Sequence, residues 1–220
     1  MPGFPPRYDV LPPPQRNLCS ELRQIPRHFV LYGGTAIALR LGHRVSLDFD
    51  FFTSEAFAPD RLLAEIPLLS GAEILQNVSQ TLTVALDRKG RVKLSFFGGL
   101  HLGRVGQPEQ TQDGSIRVAS LLDLAGTKAV VITQRAEAKD YLDMLALFKQ
   151  GITLALAMGA ARAIYGEQYN PLMTLKSLTY FGDGDLHTLT PEQKTELINA
   201  ATQQTLELPD IHRVSDNLSA

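Results

Sequence analysis

Two aspartates separated by one residue, Asp48 and Asp50, are the side chains of this sequence best placed to do chemistry. They lie in a mostly apolar run over residues 46–52, which is predicted to form a strand. Because side chains alternate along a strand, both carboxylates project from one face, while Leu47 and Phe49 project from the other. Two adjacent like charges repel, and a cation between them removes the repulsion. Mg²⁺ suits two carboxylates and phosphate oxygens, so a magnesium site is predicted, with a solvated strand edge as the alternative.

A glycine pair, Gly33 and Gly34, comes shortly before these aspartates and opens a predicted helix over residues 35–41. Glycine lets backbone N–H groups come close to a phosphate, and the N-terminus of a helix attracts anions. A glycine pair can also form nothing more than a turn. In combination with the paired carboxylates, it predicts a site for a nucleoside triphosphate and its metal ion.

Two blocks of this sequence resemble the AbiEii/AbiGii nucleotidyltransferase toxins, a branch of the polymerase-β-like minimal nucleotidyltransferases. The first block comprises residues 33–44, followed by Ser46 and the two aspartates. The second block, residues 122–143, is similar to the family's later lysine motif and its basic-Asp-x-x-Asp motif. Both occur in the expected order, and the resemblance extends over roughly residues 25–185.

The resemblance implies an α+β fold with a polymerase-β-like nucleotidyltransferase core, a mixed sheet flanked by helices, followed by a helical C-terminal half. It also implies Mg²⁺-dependent transfer of a nucleotidyl group from an NTP to an RNA, with tRNA as the expected acceptor. The protein would then be the toxin of a toxin–antitoxin pair, with a cognate antitoxin as a possible partner. A catalytically inactive nucleotide- or RNA-binding module of the same fold is the alternative prediction, and a housekeeping transferase without toxicity is a third.

The candidate site residues follow from the motifs and from this resemblance. The metal ligands are predicted to be Asp48 and Asp50. The predicted catalytic residues are Asp48, Asp50, Lys128 and Asp140. The predicted nucleotide-binding residues are Gly33, Gly34, Thr35, Arg44 and Ser46. Among these, Arg44 is preferred to the neighbouring His43 because its guanidinium is always charged.

A second group of charged residues begins at Lys128, which lies in a mostly apolar stretch where a charged side chain is unusual. On a continuous helix Lys128, Arg135 and Lys139 would lie within about 20° of one another, since seven and eleven residues are nearly whole turns. Such a row suits phosphate groups, and a solvated basic face is the alternative. The resemblance assigns Lys128 to the active site, in the same cleft as the aspartates. It makes Asp140 the functional acid, and Asp143 is expected to be a structural partner. Asp140 could instead cap the helix that follows it or pair with Arg135 or Lys139.

The sequence departs from the family pattern at one point. Polymerase-β-like transferases usually add a third carboxylate from a neighbouring strand. Here a hairpin is predicted over residues 81–87 and 92–96, and the polar face of its second strand offers Lys93 and Ser95 instead of an acid. A single Mg²⁺ that arrives with the nucleotide is therefore expected, not a two-metal mechanism.

The composition fits an ordinary globular protein, with 44% hydrophobic and 20% charged residues in 220 and a net charge of −2. This charge argues against broad nonspecific nucleic-acid binding, although not against a local basic patch. No apolar run approaches the roughly 18 residues that span a bilayer, and the N-terminus has no signal-peptide pattern. The single cysteine, Cys19, excludes an internal disulfide framework. These features predict a cytoplasmic protein.

Three segments are predicted: a proline-rich N-terminal arm over residues 1–17, a nucleotidyltransferase core over 18–118, and a helical domain over 119–220 that contributes to the active site. Six of the 13 prolines lie in the first 14 residues, which predicts an extended or disordered arm without regular helix. A short strand is predicted over residues 29–32. The remaining helices are predicted over residues 18–24, 59–69, 141–148, 154–165, 172–181 and 191–205, with a long helical region that opens near residue 120.

Overall fold

The computed structural model describes residues 3–218, which form two compact units. The first, here called the sheet unit, comprises the chain up to Leu102, Gln107–Ser120 and the residues from Ser215 onwards. The second, the helical unit, comprises Gly103–Gly106 and Leu121–Val214. Together the elements confirm the predicted α+β class, with a mixed sheet flanked by helices followed by a helical half.

In the described part of the chain, seven strands form one sheet in the order β3-β4-β5-β2-β1-β7-β6. The strands are β1 Val30–Tyr32, β2 Phe49–Phe52, β3 Glu73–Val78, β4 Thr81–Asp87, β5 Arg91–Phe97, β6 Glu109–Gln110 and β7 Arg117–Val118. Strands β4 and β5 form the predicted antiparallel hairpin. Strand β2 pairs antiparallel with β1 and parallel with β5, so it lies inside the sheet with a neighbour on each side.

The core face of β2 is aromatic. Phe49 and Phe51 are almost fully buried, and the Phe51 ring stacks on Phe96 of β5 with centroids 5.5 Å apart. Leu47, which was predicted to share this face, is instead 54% exposed. The strand begins only at Phe49, so the alternation does not extend back to Leu47, whose main-chain carbonyl accepts a hydrogen bond from the Gln15 side chain.

Three α-helices of the sheet unit are described: α1 Pro13–Leu18, α2 Gly33–Leu41 and α3 Pro59–Glu65. The expectation that the proline-rich start excludes helix is wrong at its end, because α1 begins at Pro13. Proline is well tolerated in the first helical turn, where its missing N–H would have no partner within the helix. The first two residues of the predicted arm lie outside the described residues. The predicted helix over 59–69 is interrupted before Pro67, which disfavours helical geometry at the preceding residue.

The described residues of the helical unit contain α4 Leu121–Gln134, α5 Ala138–Lys149, α6 Leu154–Tyr165, α7 Pro171–Ser177 and α8 Pro191–Thr202. Helices α4 and α6 pack closely at Gly126, where an added Cβ would lie 3.0 Å from the backbone of Ala160 and Ala161. Helix α8 begins with a capping box, in which Thr190 and Gln193 bond reciprocally.

No single helix in residues 3–218 is long and apolar enough to cross a membrane. One pair of helices, Ala138–Lys149 with Leu154–Gln168, reaches that length and composition together, with a bend of 113° between them.

Candidate functional site

The predicted metal ligands lie at the start of β2, beside strand β5. Asp50 is directly opposite Ser95 in the parallel register, and Asp48 immediately precedes the strand. The Lys93 ammonium, two residues before Ser95 and on the same face of β5, lies 3.1 Å from Oδ2 of Asp48. The two aspartates, Lys93 and Ser95 therefore share one face of the sheet, where the register gives no third acid.

The donor set at this face fits one Mg²⁺. Two carboxylates supply hard oxygen ligands, the Asp48 side chain is 46% exposed, and phosphate or water oxygens could fill the remaining positions. Within residues 3–218 there is no group of three or more His, Cys, Asp or Glu side chains that could hold a metal ion on its own. Asp48 and Asp50 alone would thus supply the protein's carboxylates to such an ion.

The glycine-initiated helix α2 begins directly against Asp50. Gly33 has a φ of +73°, and a Cβ at this position would lie 3.2 Å from Oδ2 of Asp50. Helix α2 starts without a side-chain N-cap, so its first N–H groups point out at the positive end of the helix dipole. The structure thus brings the predicted phosphate-binding turn and one predicted metal ligand together.

Replacement of Gly33 by alanine tests this close approach, with Gly71→Ala as a matched control. The two glycines have φ angles of +73° and +72°, but nothing lies within 4 Å of a Cβ at Gly71. Both variants should lose about 1–2 kcal/mol of stability through left-handed strain. Only Gly33→Ala should also slow the nucleotidyl transfer that the family resemblance implies, by about ten- to a hundredfold, because its methyl group displaces the Asp50 carboxylate. Equal transfer rates in the two variants, measured beside their urea unfolding, would contradict the assignment.

Thr35 and Ser46, two predicted nucleotide-binding residues, are buried and bonded to each other. Their hydroxyl oxygens are 2.8 Å apart, and Thr35 also donates a hydrogen bond to the main-chain carbonyl of Asp48. These bonds tie α2 to the segment that precedes β2 and hold Asp48 in place. The guanidinium of Arg44, in the same segment, donates to the main-chain carbonyl of Val45 at 2.9 Å.

Lys128, in helix α4 of the helical unit, is buried between two carboxylates. Its ammonium lies 2.5 Å from Oδ1 of Asp140 and 2.7 Å from Oδ2 of Asp143, and both aspartates of α5 are fully buried. A buried ammonium is stable only when it is paired and hydrogen-bonded. This pairing accounts for a lysine in an apolar stretch. The i, i+3 spacing of the two aspartates, which puts them on one face of α5, was the signal for it.

Arg135 completes this cluster from the break between α4 and α5. Its Nε and Nη2 donate to the two oxygens of Asp140 at 2.7 and 3.1 Å. Burial alone would raise the pKa of Asp140, but the hydrogen bond from Arg135 and the charge of Lys128 outweigh it, so this pKa lies below its ordinary value. The continuous row of cations is not formed, since the helix ends before Arg135 and Lys139 pairs with Glu137 at 2.6 Å.

The sequence pattern predicts Lys93 and Ser95 only as residues in place of an acid, and it does not predict the ion pair of Lys93 with Asp48. The only local signal for this pair is the spacing of Lys93, two residues before Ser95 on the strand predicted to follow the hairpin turn. The pair becomes visible only once the parallel register of β2 and β5 is known.

Comparison with known proteins gives a match over most of the chain. A protein-family model described as "Nucleotidyl transferase AbiEii toxin, Type IV TA system" matches residues 18–216, a range that includes every predicted site residue. An uncharacterized protein of Aquifex aeolicus (strain VF5) is 36% identical over 158 residues, which cover 70% of this chain and 74% of the relative. A crystal structure of a candidate nucleotidyltransferase from H. pylori aligns with 86% of this chain and 91% of its own, at 18% identity and a TM-score of 0.48.

Proposed function

This chain belongs to the AbiEii family of nucleotidyl transferase toxins, and from that premise we propose that it transfers a nucleotidyl group from an NTP to an RNA in a Mg²⁺-dependent reaction. The observation that carries the proposal is the close approach of Gly33 to Asp50. An ideal Cβ built on Gly33 would lie 3.2 Å from Oδ2 of the Asp50 carboxylate. A helix N-terminus beside a carboxylate pair offers an anion site next to a cation site, which is what a metal-bound triphosphate requires.

In the proposed reaction, a hydroxyl of the acceptor attacks the α-phosphorus of the NTP, and the bond to the β-phosphate breaks to release pyrophosphate. Asp48 and Asp50 would hold Mg²⁺, which when bound neutralises triphosphate charge and polarises the α-phosphate. The N–H groups at the start of α2 would bind phosphate oxygens. Arg44 and Ser46 belong to the loop that follows α2, and both are proposed to bind the nucleotide.

For the helical unit we propose a role for Lys128 and Asp140 in the same reaction. Because its pKa is lowered, Asp140 is ionised at neutral pH, and it would orient the acceptor through Arg135, whose guanidinium it binds and whose side chain is 46% exposed. Lys128, held by Asp140 at 2.5 Å, would stabilise the negative charge that develops on the departing phosphates.

The biological setting belongs to the same proposal. Membership of a toxin family of type IV toxin–antitoxin systems implies a nucleotide substrate and an antitoxin partner. We further propose tRNA as the acceptor and the cytoplasm as the place of reaction. A single Mg²⁺ is proposed because Ser95 occupies the register position where a third carboxylate would lie.

The direct test is incubation of the protein with Mg²⁺, total tRNA and each of the four NTPs labelled on the α-phosphate. Covalent label in RNA from one NTP is expected, together with release of pyrophosphate only when the acceptor is present. Label transferred only from the γ-phosphate would mean a kinase and would overturn the proposal. Nucleotide binding without any transfer would favour the inactive binding module.

A further inference from the structure

Lys93 is ion-paired to Asp48, one of the two predicted metal ligands. Its ammonium is 3.1 Å from Oδ2 of Asp48, and both side chains are partly exposed, at 41% and 46%. An exposed pair of this kind contributes little to stability, typically 0–1 kcal/mol. Stability alone therefore gives a weak reason for a lysine beside two carboxylates.

The register shows which residues of β5 face the two aspartates. Strand β5 puts Lys93 and Ser95 on the face that carries Asp48 and Asp50, with Ser95 directly opposite Asp50. A third carboxylate here would give three negative charges, enough to hold two divalent ions. With Lys93 beside Asp48, part of the negative charge of this carboxylate is already balanced, which favours one divalent ion and disfavours a second.

We infer that Lys93 takes the place of a second metal ion. Its ammonium neutralises part of the charge of the Asp48 carboxylate and restricts the site to one divalent ion. The inference rests on the proposed function, because it concerns the ion held by Asp48 and Asp50. Lys93 binds Oδ2 of Asp48, so Oδ1 of the same carboxylate can serve the ion. In this role Lys93 is a positioning residue that acts through Asp48.

The test is a titration of the nucleotide-free protein with Mn²⁺, followed by the electron paramagnetic resonance signal of the free ion. Wild type should bind one Mn²⁺ per chain. Lys93→Met should bind Mn²⁺ about tenfold more tightly, since it removes a positive charge from beside a ligand of the ion. The matched control is Lys89→Met, which removes the charge of an exposed lysine in the β4–β5 turn and should change the affinity by less than about twofold.

Two further variants test whether the tighter Mn²⁺ binding depends on Asp48, and they distinguish failure of the inference from failure of the proposed metal site. In Lys93→Met combined with Asp48→Asn, the tighter binding should disappear. If Asp50→Asn weakens Mn²⁺ binding but Lys93→Met binds no more tightly than Lys89→Met, the inference is wrong and the proposed metal site stands. If neither the wild type nor any variant binds Mn²⁺, the proposed metal site and the inference both fail. They also fail if Asp50→Asn binds Mn²⁺ as tightly as the wild type does.

Discussion

Asp50→Asn is expected to reduce nucleotidyl transfer by about 10³-fold, the loss typical when a group that stabilises transition-state charge is removed. The amide keeps the size of the side chain and its position opposite Ser95, but it lacks the negative charge that Mg²⁺ needs. The loss should appear in single-turnover incorporation of α-labelled nucleotide into RNA. Excess Mg²⁺ should not restore the rate, because the ligand itself is missing.

A matched carboxylate variant separates this loss from a general effect of charge. Glu65 lies on α3 and pairs at the surface with Arg61, 2.6 Å away, so Glu65→Gln makes the same chemical change at an exposed residue that is not a predicted ligand. It should retain full transfer activity and wild-type stability within about 0.5 kcal/mol. Transfer by Asp50→Asn at more than a tenth of the wild-type rate would remove Asp50 from the site.

The local parts of this fold could be predicted because local patterns determine them. Alternation of apolar residues predicted the β4–β5 hairpin and the burial of Phe49 in β2, since packing one face of a sheet requires a period of two. The glycine pair predicted the start of α2, because a positive φ such as that of Gly33 is readily adopted only by glycine. These elements depend on a few neighbouring residues.

Other parts depend on contacts between distant residues and left no clear local signal. Strand β3 has no counterpart among the predicted elements, because it is an edge strand exposed along its whole length and shows no alternation of burial. The contact of Lys93 with Asp48 follows from the parallel register of β2 and β5, which a sequence pattern does not determine. The break between α4 and α5 likewise has no local signal, since residues 135–137 include neither glycine nor proline.

Lys128→Met is expected to lower the free energy of unfolding by about 3–5 kcal/mol, because it leaves two buried carboxylates without their shared cation. Asp140 would keep Arg135, but Asp143 would lose the ammonium that lies 2.7 Å from its Oδ2. Urea unfolding followed by circular dichroism measures the loss. Lys149→Met, an exposed lysine at the end of α5, is the control and should change stability by less than about 0.5 kcal/mol.

Removal of all three buried charges together distinguishes a structural cluster from a catalytic one. Lys128→Met combined with Asp140→Asn and Asp143→Asn removes the three charges that face one another, and most of the lost stability should return, since neutral replacements of a buried ion pair are often close to neutral in energy. Arg135, 46% exposed, can be solvated when its partner is lost. If Lys128 and Asp140 serve the reaction, this refolded variant should still bind nucleotide but transfer none to RNA. Restored transfer in step with restored stability would show that the cluster only holds α4 and α5 together, and would leave the chemistry to the aspartates of β2.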